Sequence, residues 1–225
     1  MKNWDQDTTR FAGAIIGLAV VWLLLYLFFV TQAHAQATIS VNPGTVVPIT
    51  SNNSNLVYID QIGSNNTVVI SQDGTTHSAT VVTGKDSSVD NTYVNITQQG
   101  TGAKTSKVEI PSGINNSVTI NQDGAGNHYA GIQNLSGTAN NIMIGQSGAG
   151  NHTLAISAAP GSTNNGDTIN ATQSGGAGAD KAFQLNLNGT SGATVNIQQT
   201  NPTTANSGSM SIQCVTCGTY NYLRQ

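Results

Sequence analysis

Residues 118–122 read Val-Thr-Ile-Asn-Gln, an alternation of apolar and polar side chains that ends on glutamine. Strict alternation over five residues, bounded by turn residues, predicts a strand with one buried face. The motif apolar-x-apolar-x-Gln recurs along the chain with its glutamines 24 to 27 residues apart. Its copies are Val68–Ile70–Gln72, Val94–Ile96–Gln98, Val118–Ile120–Gln122, Ile142–Ile144–Gln146, Ile169–Ala171–Gln173 and Val195–Ile197–Gln199. A repeat of this length indicates one supersecondary unit that is copied and stacked.

A second, weaker set of alternating segments lies between the segments that end on glutamine. Asp-Gly or Ser-Gly pairs follow several of the glutamines, and Asn pairs follow several of the second segments, so both connections are predicted to be turns. The second set aligns as Val57–Ile59–Gln61, Thr80–Val82–Gly84, Val108–Ile110–Ser112, Ala130–Ile132–Asn134, Leu154–Ile156–Ala158, Leu185–Leu187–Gly189 and Met210–Ile212–Cys214. Each unit therefore reads as strand, turn, strand, turn.

Stacking of these units predicts an all-β fold over residues 55–217. The expected form is a β-solenoid of about six strand-turn-strand rungs that make two facing parallel sheets. A two-stranded unit cannot bury its apolar face alone, whereas stacked copies can. Equivalent side chains then stack along the axis about 4.8 Å apart. A buried amide without partners costs a few kcal/mol, but in a ladder each amide donates to the carbonyl of the next one, as in amyloid spines.

The residues predicted to form this amyloid ladder are the glutamines and their isoleucine neighbours. They are Gln61, Gln72, Gln98, Gln122, Gln146, Gln173, Gln199, Ile59, Ile70, Ile96, Ile120, Ile144 and Ile197. Both ends of a stack expose strand edges, which soluble solenoids cap with polar or irregular structure. The sequence offers no convincing cap, because the last segment, 210–214, keeps the apolar pattern almost to the C-terminus. The ends are therefore predicted to polymerise.

The N-terminal segment contains an uncharged apolar stretch at residues 11–30. Lys2 and Arg10 precede it, and the small-x-small sequence at 33–35 follows it, as signal peptidase requires. We expect residues 1–35 to be a signal peptide that is cleaved after Ala35. The alternative is an uncleaved anchor, since about 20 apolar residues can span a bilayer. Residues 36–54 are then an N-terminal extension, and residues 218–225 a C-terminal tail.

The composition argues against several classes of function. Charged residues make up 8% of the chain and the net charge is −3, so no basic surface for nucleic acid is predicted. Four histidines and a single glutamate leave little material for a general base or for paired carboxylates. The Gly-rich turns lack the lysine and helix of a phosphate-binding loop. The sequence thus predicts no enzyme, no cofactor and no metal site.

Residues 55–72, Asn-Leu-Val-Tyr-Ile-Asp-Gln-Ile-Gly-Ser-Asn-Asn-Thr-Val-Val-Ile-Ser-Gln, resemble a repeat of the curlin family, the subunits of bacterial curli fibres. The likeness rests on Gln61, Gly63 two residues later, Asn residues at the next corner, and Gln72. The stretch 55–66 is closest to the minor, nucleating curlin, and a looser pattern extends over residues 55–217. Later units depart from the family pattern, because they lack the second glutamine and are slightly longer.

The resemblance implies a functional amyloid that is secreted through a dedicated outer-membrane pore. Such a protein assembles on the cell surface into fibres of the biofilm matrix that serve adhesion. The implied partners are further copies of the chain, a second curlin-like subunit, the secretion pore and periplasmic accessory proteins. In curlins a short segment after the signal peptide addresses the pore. Residues 36–54 would be its counterpart, although they match no motif.

Cys214 and Cys217 are the only cysteines, and Gly218 follows them where a haem-attachment motif has histidine. No second pair completes a zinc site. In an oxidising compartment the pair is predicted to form a local disulfide or a cross-link between subunits.

His128 and His152 lie 24 residues apart and are predicted to stack on adjacent rungs, with His77 one position off their column. One interpretation is a pH-sensitive column, in which protonation near the ordinary pKa of about 6.5 makes the imidazoles repel each other and slows assembly. The other is a pair of polar corner residues. No column of Cys or carboxylate residues completes a metal site beside them.

The sequence therefore predicts a secreted, self-assembling subunit of an extracellular curli-like fibre that grows by strand templating at its ends. The alternative is a soluble β-solenoid adhesin or binding module on the cell surface. That function would need a regular outward face, and Thr67, Thr92 and Thr97 do not form one. A β-helix enzyme acting on polysaccharide would need a groove lined with acids, and acids are sparse in this chain.

Overall fold

The computed structural model describes residues 35–39, 47–50, 55–85, 87–159 and 161–225. They belong to one unit, His34–Gln225. Apart from Ala35, the predicted signal peptide lies outside the described residues, and so does most of the predicted extension. Every regular element in the described part of the chain is a β-strand. Within that part, no helix is long and apolar enough to cross a membrane.

The repeat glutamines all lie in one sheet of eight strands, which we call the glutamine sheet. Its spatial order is β1 (Ala35–Ile39), β4 (Thr67–Gly74), β7 (Tyr93–Gly100), β10 (Ser117–Asp123), β12 (Asn141–Gly148), β14 (Thr168–Gly175), β16 (Thr194–Gln199) and β18 (Thr219–Arg224). A second sheet, the opposing sheet, has eight strands as well. Its order is β2 (Val47–Thr50), β3 (Leu56–Gln61), β5 (Ser78–Thr83), β8 (Lys104–Ile110), β11 (His128–Gln133), β13 (His152–Ala158), β15 (Lys181–Leu187) and β17 (Asn206–Ile212). The short strands β6 (Val89–Asp90) and β9 (Gly113–Ile114) form a third sheet at one turn.

From β3 onwards the chain alternates between the two large sheets, and each pair of strands makes one coil. All neighbours from β3 to β18 within these sheets are parallel, so the predicted β-solenoid of two facing parallel sheets is confirmed. There are about seven coils where the sequence predicted about six rungs. The seventh coil ends in β18, which pairs with β16 and carries Arg224 at the glutamine position. That strand lacks the repeat motif, so residues 218–225 had been assigned to a tail.

The register of the opposing sheet differs from the sequence alignment in four coils. In the second coil the alignment was one residue out: Ala79 and Val81 are buried, whereas Thr80 and Val82 are only half-buried on the outer face. In the third, sixth and seventh coils it was two residues out, which keeps the same face inward. A slip of one residue exchanges the two faces of a strand. Because Val81 and Val82 are adjacent, alternation alone did not fix the register there.

The core between the sheets is built from stacked aliphatic side chains. The two apolar residues of every repeat motif point inward and are at most 3% exposed. Near the last coil the columns become aromatic, with the Phe183 and Tyr222 rings 4.7 Å apart. Gly208 makes room for them, because a Cβ at that position would lie 2.5 Å from the Tyr222 ring. Small and large residues thus balance across the core.

The turns that lead into the glutamine sheet share one backbone conformation. The residue two positions before each of six strands has a left-handed φ, at Asn65 (56°), Asn91 (52°), Asn115 (58°), Ala139 (56°), Gly166 (64°) and Gly192 (70°). Asn and Gly tolerate this region best, which explains their recurrence at the corner. Ala139 is the exception, and its Cβ makes this conformation costly.

Candidate assembly surface: the amide ladder and the two ends

The six repeat glutamines form one continuous column inside the solenoid. Each amide Nε2 donates to the Oε1 of the next glutamine along the axis. The Nε2–Oε1 distances are 2.7 Å for Gln72–Gln98, 2.9 Å for Gln98–Gln122, 2.8 Å for Gln122–Gln146, 2.8 Å for Gln146–Gln173 and 2.7 Å for Gln173–Gln199. All six side chains are at most 2% exposed. The parallel register aligns Gln with Gln at every step, so the repeat spacing alone produces the column.

Each of these amides also reaches across the core to the opposing sheet. The second N–H of Nε2 donates to a backbone carbonyl, for example from Gln146 to the Tyr129 oxygen at 2.8 Å and from Gln98 to the Ser78 oxygen at 3.0 Å. The same contact joins the other four glutamines to Leu56, Thr105, Thr153 and Ala182. One side chain therefore ties a coil to its neighbour and ties the two sheets together.

The ladder has a direction, and its two ends differ. At the N-terminal end the Oε1 of Gln72 is buried and has no hydrogen-bond partner. At the other end the Nε2 of Gln199 donates to the Asn206 side chain at 2.7 Å. One coil further on, Arg224 occupies the glutamine position, with its guanidinium 5.7 Å from the centre of the Tyr222 ring.

Gln61, which the sequence places in the second set of strands and among the ladder residues, stands apart from this column. It lies in the opposing sheet on β3, beside Thr83 of β5. Both amide atoms of Gln61 and the hydroxyl of Thr83 are buried without a partner. At the same position the third coil has Ile110 and the seventh coil has Ile212. A ladder needs the same group on successive coils, and only the first coil has glutamine here.

The predicted isoleucines lie where the motif places them, next to the amide column. Ile70, Ile96, Ile120, Ile144 and Ile197 stack in the glutamine sheet, with Ala171 between the last two. Ile59 lies in the opposing sheet and starts a separate aliphatic column that passes through Val81. These side chains form the buried apolar surface next to the amide column.

A column of histidines and lysines lies at the start of the opposing strands. The rings of His128 and His152 stack with centroids 4.9 Å apart and planes 1° from parallel. Lys104 pairs with His128 on one side and Lys181 pairs with His152 on the other. His77 precedes Ser78, which pairs with Thr105, so it lies at the level of Lys104 and inside the column. The sequence alignment had placed His77 one position off because of the register slip in that coil.

Both lysines of this column are buried, and neither was expected from the sequence. The Nζ of Lys104 donates to the carbonyl oxygens of Gly102, Gly124 and Gly126 at 3.0, 2.8 and 2.8 Å. The Nζ of Lys181 donates to the carbonyls of Asn201 and Thr204. Burial lowers the pKa of both ammonium groups. A lysine in a sequence normally indicates an exposed face. The only sequence feature that placed these two lysines in the column was their spacing, 24 residues between Lys104 and His128 and 29 between His152 and Lys181.

The histidines are neutral near neutral pH. Burial lowers the pKa of His128 from 6.5 to about 4, and it lowers the pKa of His77 and His152 as well. The Nε2 of His128 donates to the backbone carbonyl of Asp123 at 2.8 Å, and the Nε2 of His152 donates to that of Ser147 at 2.9 Å. The Nδ1 atoms are buried without partners, so a proton there would have no acceptor. In the folded chain His128 therefore takes up a proton well below the pH of about 6.5 expected from sequence.

A second polar column occupies the corner before the glutamine sheet. The Oδ1 of Asn116 accepts the Asn140 amide N–H at 3.1 Å, and the Oδ1 of Asn140 accepts the Asp167 N–H at 3.0 Å. Asp167 continues the pattern by accepting the Ala193 N–H at 2.8 Å. The paired asparagines had been read as turn residues only. Their role is to satisfy the backbone donors of the next coil.

The two ends of the solenoid are built differently. At the C-terminal end β17 and β18 each pair on one side, and no described strand lies beyond them. The structure places Cys214 and Cys217 in a disulfide within the turn between these strands. At the N-terminal end β1 and β2 cover β4 and β3, and both pairs are antiparallel. The sequence had predicted two uncapped ends, because residues 35–50 carry no repeat that would mark them as strands.

Among the described residues, no group of three or more His, Cys, Asp or Glu side chains is placed to hold a metal ion. The opposing sheet has two shallow grooves over its last coils. Ala182 and Ser207 line both, and Asp180 and Lys181 line one of them.

Comparison with known proteins gives one similarity. Residues 53–74 match the family model of the curlin associated repeat. This segment covers the first coil, β3 and β4, and overlaps the residues 55–72 that carry the resemblance seen in the sequence. No curated protein and no solved structure gives a match to this chain. The first coil is in register with those that follow, so the matched unit is the structural repeat of the solenoid.

Proposed function

We propose that this chain is a secreted subunit of a curli-type extracellular fibre, and that it assembles end to end with further copies. The observation that carries the proposal is a C-terminal edge that no described strand covers, on a solenoid whose amide column repeats over six coils. Unpaired strand edges template further strands. The match of residues 53–74 to the curlin associated repeat supports the same assignment.

The fibre grows by templated strand addition. A terminal coil offers unpaired backbone N–H and C=O groups, and the next copy continues the amide and aliphatic columns. Identical side chains stacked in this way are the basis of amyloid stability. In the proposed setting the fibre contributes to the biofilm matrix and to surface adhesion. Its partners are other copies, a second curlin-like subunit, an outer-membrane secretion pore and periplasmic accessory proteins.

Fibre diffraction on the purified chain, in the form that cells release, tests the proposal. We expect fibres that bind thioflavin and give a meridional reflection near 4.7 Å, the spacing of paired strands. A chain that stays monomeric over days at micromolar concentration would contradict assembly. That result would favour the alternative, a soluble adhesin or binding module.

A nucleating role is the finer part of this proposal, and the likeness of residues 55–66 to the minor curlin supports it. A nucleator acts at low ratio. We expect about one part in a hundred of this chain to shorten the lag phase of a major curlin-like subunit, with elongation rate unchanged. If the lag shortens only in proportion to added mass, the chain is an elongating subunit.

A further inference from the structure

Two amide columns of this molecule share one direction. In the glutamine column every Nε2 points towards the C-terminal end. On the outer face, Asn170 donates to Asn196 at 3.2 Å and Asn196 donates to Asn221 at 2.9 Å, again towards the C-terminal end. In these two columns the N-terminal end presents acceptors and the C-terminal end presents donors. Both columns continue from one copy to the next only in a head-to-tail arrangement.

The N-terminal end contains an acceptor that lacks a donor. The Oε1 of Gln72 is buried, with the side chain 2% exposed, and it has no partner with β1 in place. β1 pairs with β4 in antiparallel fashion from Ala35 beside Gln72 to Ile39 beside Val68, and the predicted cleavage after Ala35 leaves four of these five pairs in the secreted chain. By contrast, β7 pairs with all eight residues of β4 on its other side. The cap is thus a shorter and non-equivalent partner for β4.

The C-terminal end supplies the missing donor in the same column. Arg224 follows Gln199 in the register of the glutamine sheet. A guanidinium has five N–H donors and no acceptor, so it suits a lone carbonyl oxygen. Its side chain is exposed at the open edge. Because one end has an amide acceptor and the other a guanidinium donor, the joint favours head-to-tail pairing of two copies over pairing of like ends.

The aliphatic columns continue through the same joint. Tyr222 ends the column that Ile70 begins, and Met210 ends the column that Ile59 begins. Joining the two ends in this register stacks Tyr222 on Ile70 and Met210 on Ile59. Both contacts bury apolar surface, which stabilises the joint.

We propose that β17 and β18 of one copy displace β2 and β1 of the next, and pair in parallel with β3 and β4 in the register that sets Arg224 beside Gln72. The interaction surface is the C-terminal coil, and its partner is the N-terminal coil of a second copy. The inference rests on the proposed function and adds the polarity, the register and the exchange of the capping strands.

Mixed cross-linking of two single variants tests the joint. Thr67 and Thr219 are both exposed and become direct neighbours, so Thr67→Cys in one copy and Thr219→Cys in another stand about 4.8 Å apart. That separation is within reach of a disulfide. The control pairs Thr67→Cys with Asn221→Cys, which lie about 8 Å apart in the same register and are too far for one.

After assembly and mild oxidation, peptide mapping by mass spectrometry identifies the linked residues. We expect the link between positions 67 and 219 to exceed each 67–67 or 219–219 link, and the 67–221 control, by about tenfold. Fibres that give mainly 67–67 and 219–219 links, or no preference, would overturn the joint and leave the proposed function standing. A chain that forms no fibres would overturn both.

A charge variant tests the donor directly. Arg224→Glu places a carboxylate, which only accepts, against the Oε1 of Gln72, and we expect elongation to slow about tenfold. Arg224→Gln keeps a donor and restores the repeat residue, so it is the matched control and should elongate within about twofold of the native rate. Equal rates for the two variants would refute the contact with Gln72.

Discussion

Gln122 shows why the repeat ends on an amide. Its Oε1 accepts from Gln98 and from the Ser106 hydroxyl, and its Nε2 donates to Gln146 and to the Thr105 carbonyl. An amide offers two donors and an acceptor oxygen with two lone pairs. Every one of these positions is used. A buried side chain of this size without such bonds would leave several partners unsatisfied.

Gln122→Leu keeps the volume and removes all four bonds. We expect the free energy of unfolding to fall by about 2–4 kcal/mol, because the Gln146 oxygen and the Thr105 carbonyl remain buried without donors. Urea unfolding of the soluble chain before assembly measures the change. Gln198→Leu is the matched control, since Gln198 is exposed on β16 and should change stability by about 0.5 kcal/mol or less. A loss of similar size in both variants would mean that the amide column does not stabilise the fold.

Ala139 has the left-handed conformation that Asn or Gly occupies in the other corners. Ala139→Gly removes the Cβ that opposes this φ, and we expect the free energy of unfolding to rise by about 1 kcal/mol. Ala182→Gly is the control, because Ala182 is exposed on β15 without a positive φ and should lose about 0.5–1 kcal/mol. Changes of the same sign in both variants would contradict the backbone argument.

The glutamine column could be predicted from sequence because one residue type recurs at one position of an alternating strand. Gln61 lies in the second set of strands, as its alignment predicts, but it finds no ladder partner there because Thr83 occupies the next coil. Lys104 and Lys181 were missed for a different reason. Buried lysines are rare, and their pairing with Gly-rich turns depends on the path of the next coil. Only the register of β8 and β15 reveals them as members of the histidine column.

The opposing strands were harder to align than the glutamine strands for a physical reason. Their inward positions vary from Val57 to Ala79, Ser106 and Gly208, and at Gly208 the Tyr222 ring occupies the space of a side chain. Volume is conserved over the core and not at each position. The sequence therefore fixes where these strands occur, and tertiary packing fixes their register.

The strands that carry His128 and His152 make stability depend on pH. The folded pKa of His128, about 4, lies below its unfolded value of 6.5, so the unfolded chain binds more protons in this range. Stability is therefore full above pH 6.5 and falls as pH drops towards 4, with the ratio of folded to unfolded chain decreasing about tenfold per pH unit for this group. The charge of Lys104 also lowers the pKa of His128, and the charge of Lys181 lowers the pKa of His152. The carboxylate of Asp180 raises the pKa of His152 and so opposes this effect.

We expect the double variant His128→Asn, His152→Asn to flatten this slope. Urea unfolding at pH 7, 5.5 and 4.5 gives the free energy for both proteins, and the readout is the slope with pH. The value at pH 7 serves as the internal reference, since it includes any loss of packing. His77 stays in the variant and leaves part of the slope. A slope that is equal in both proteins would show that the stacked pair does not titrate on unfolding.

The unit His34–Gln225 is a stack of coils whose described strands cover one end and leave the other open. Capping repeats are what normally keep a solenoid soluble. Here the cap is two short antiparallel strands of five and four residues, on the end that holds the unpaired oxygen of Gln72. The C-terminal end has no such cover among the described strands. In the proposed assembly, growth is limited by how readily β1 and β2 leave.

Weakening the cap should therefore speed assembly. Proline lacks an N–H and removes one bond to the neighbouring strand if that N–H faces it. In the edge strand β1, the N–H groups of Ala37 and Thr38 point to opposite sides, so only one of Ala37→Pro and Thr38→Pro breaks a bond to β4. We expect that variant to shorten the thioflavin lag phase at least twofold, while the other variant, its matched control, keeps the native lag. The two substitutions alter the same strand and differ only in that bond, so an equal change of the lag phase in both variants would come from the chain's flexibility. An unchanged lag phase in both would mean that β1 does not restrain growth.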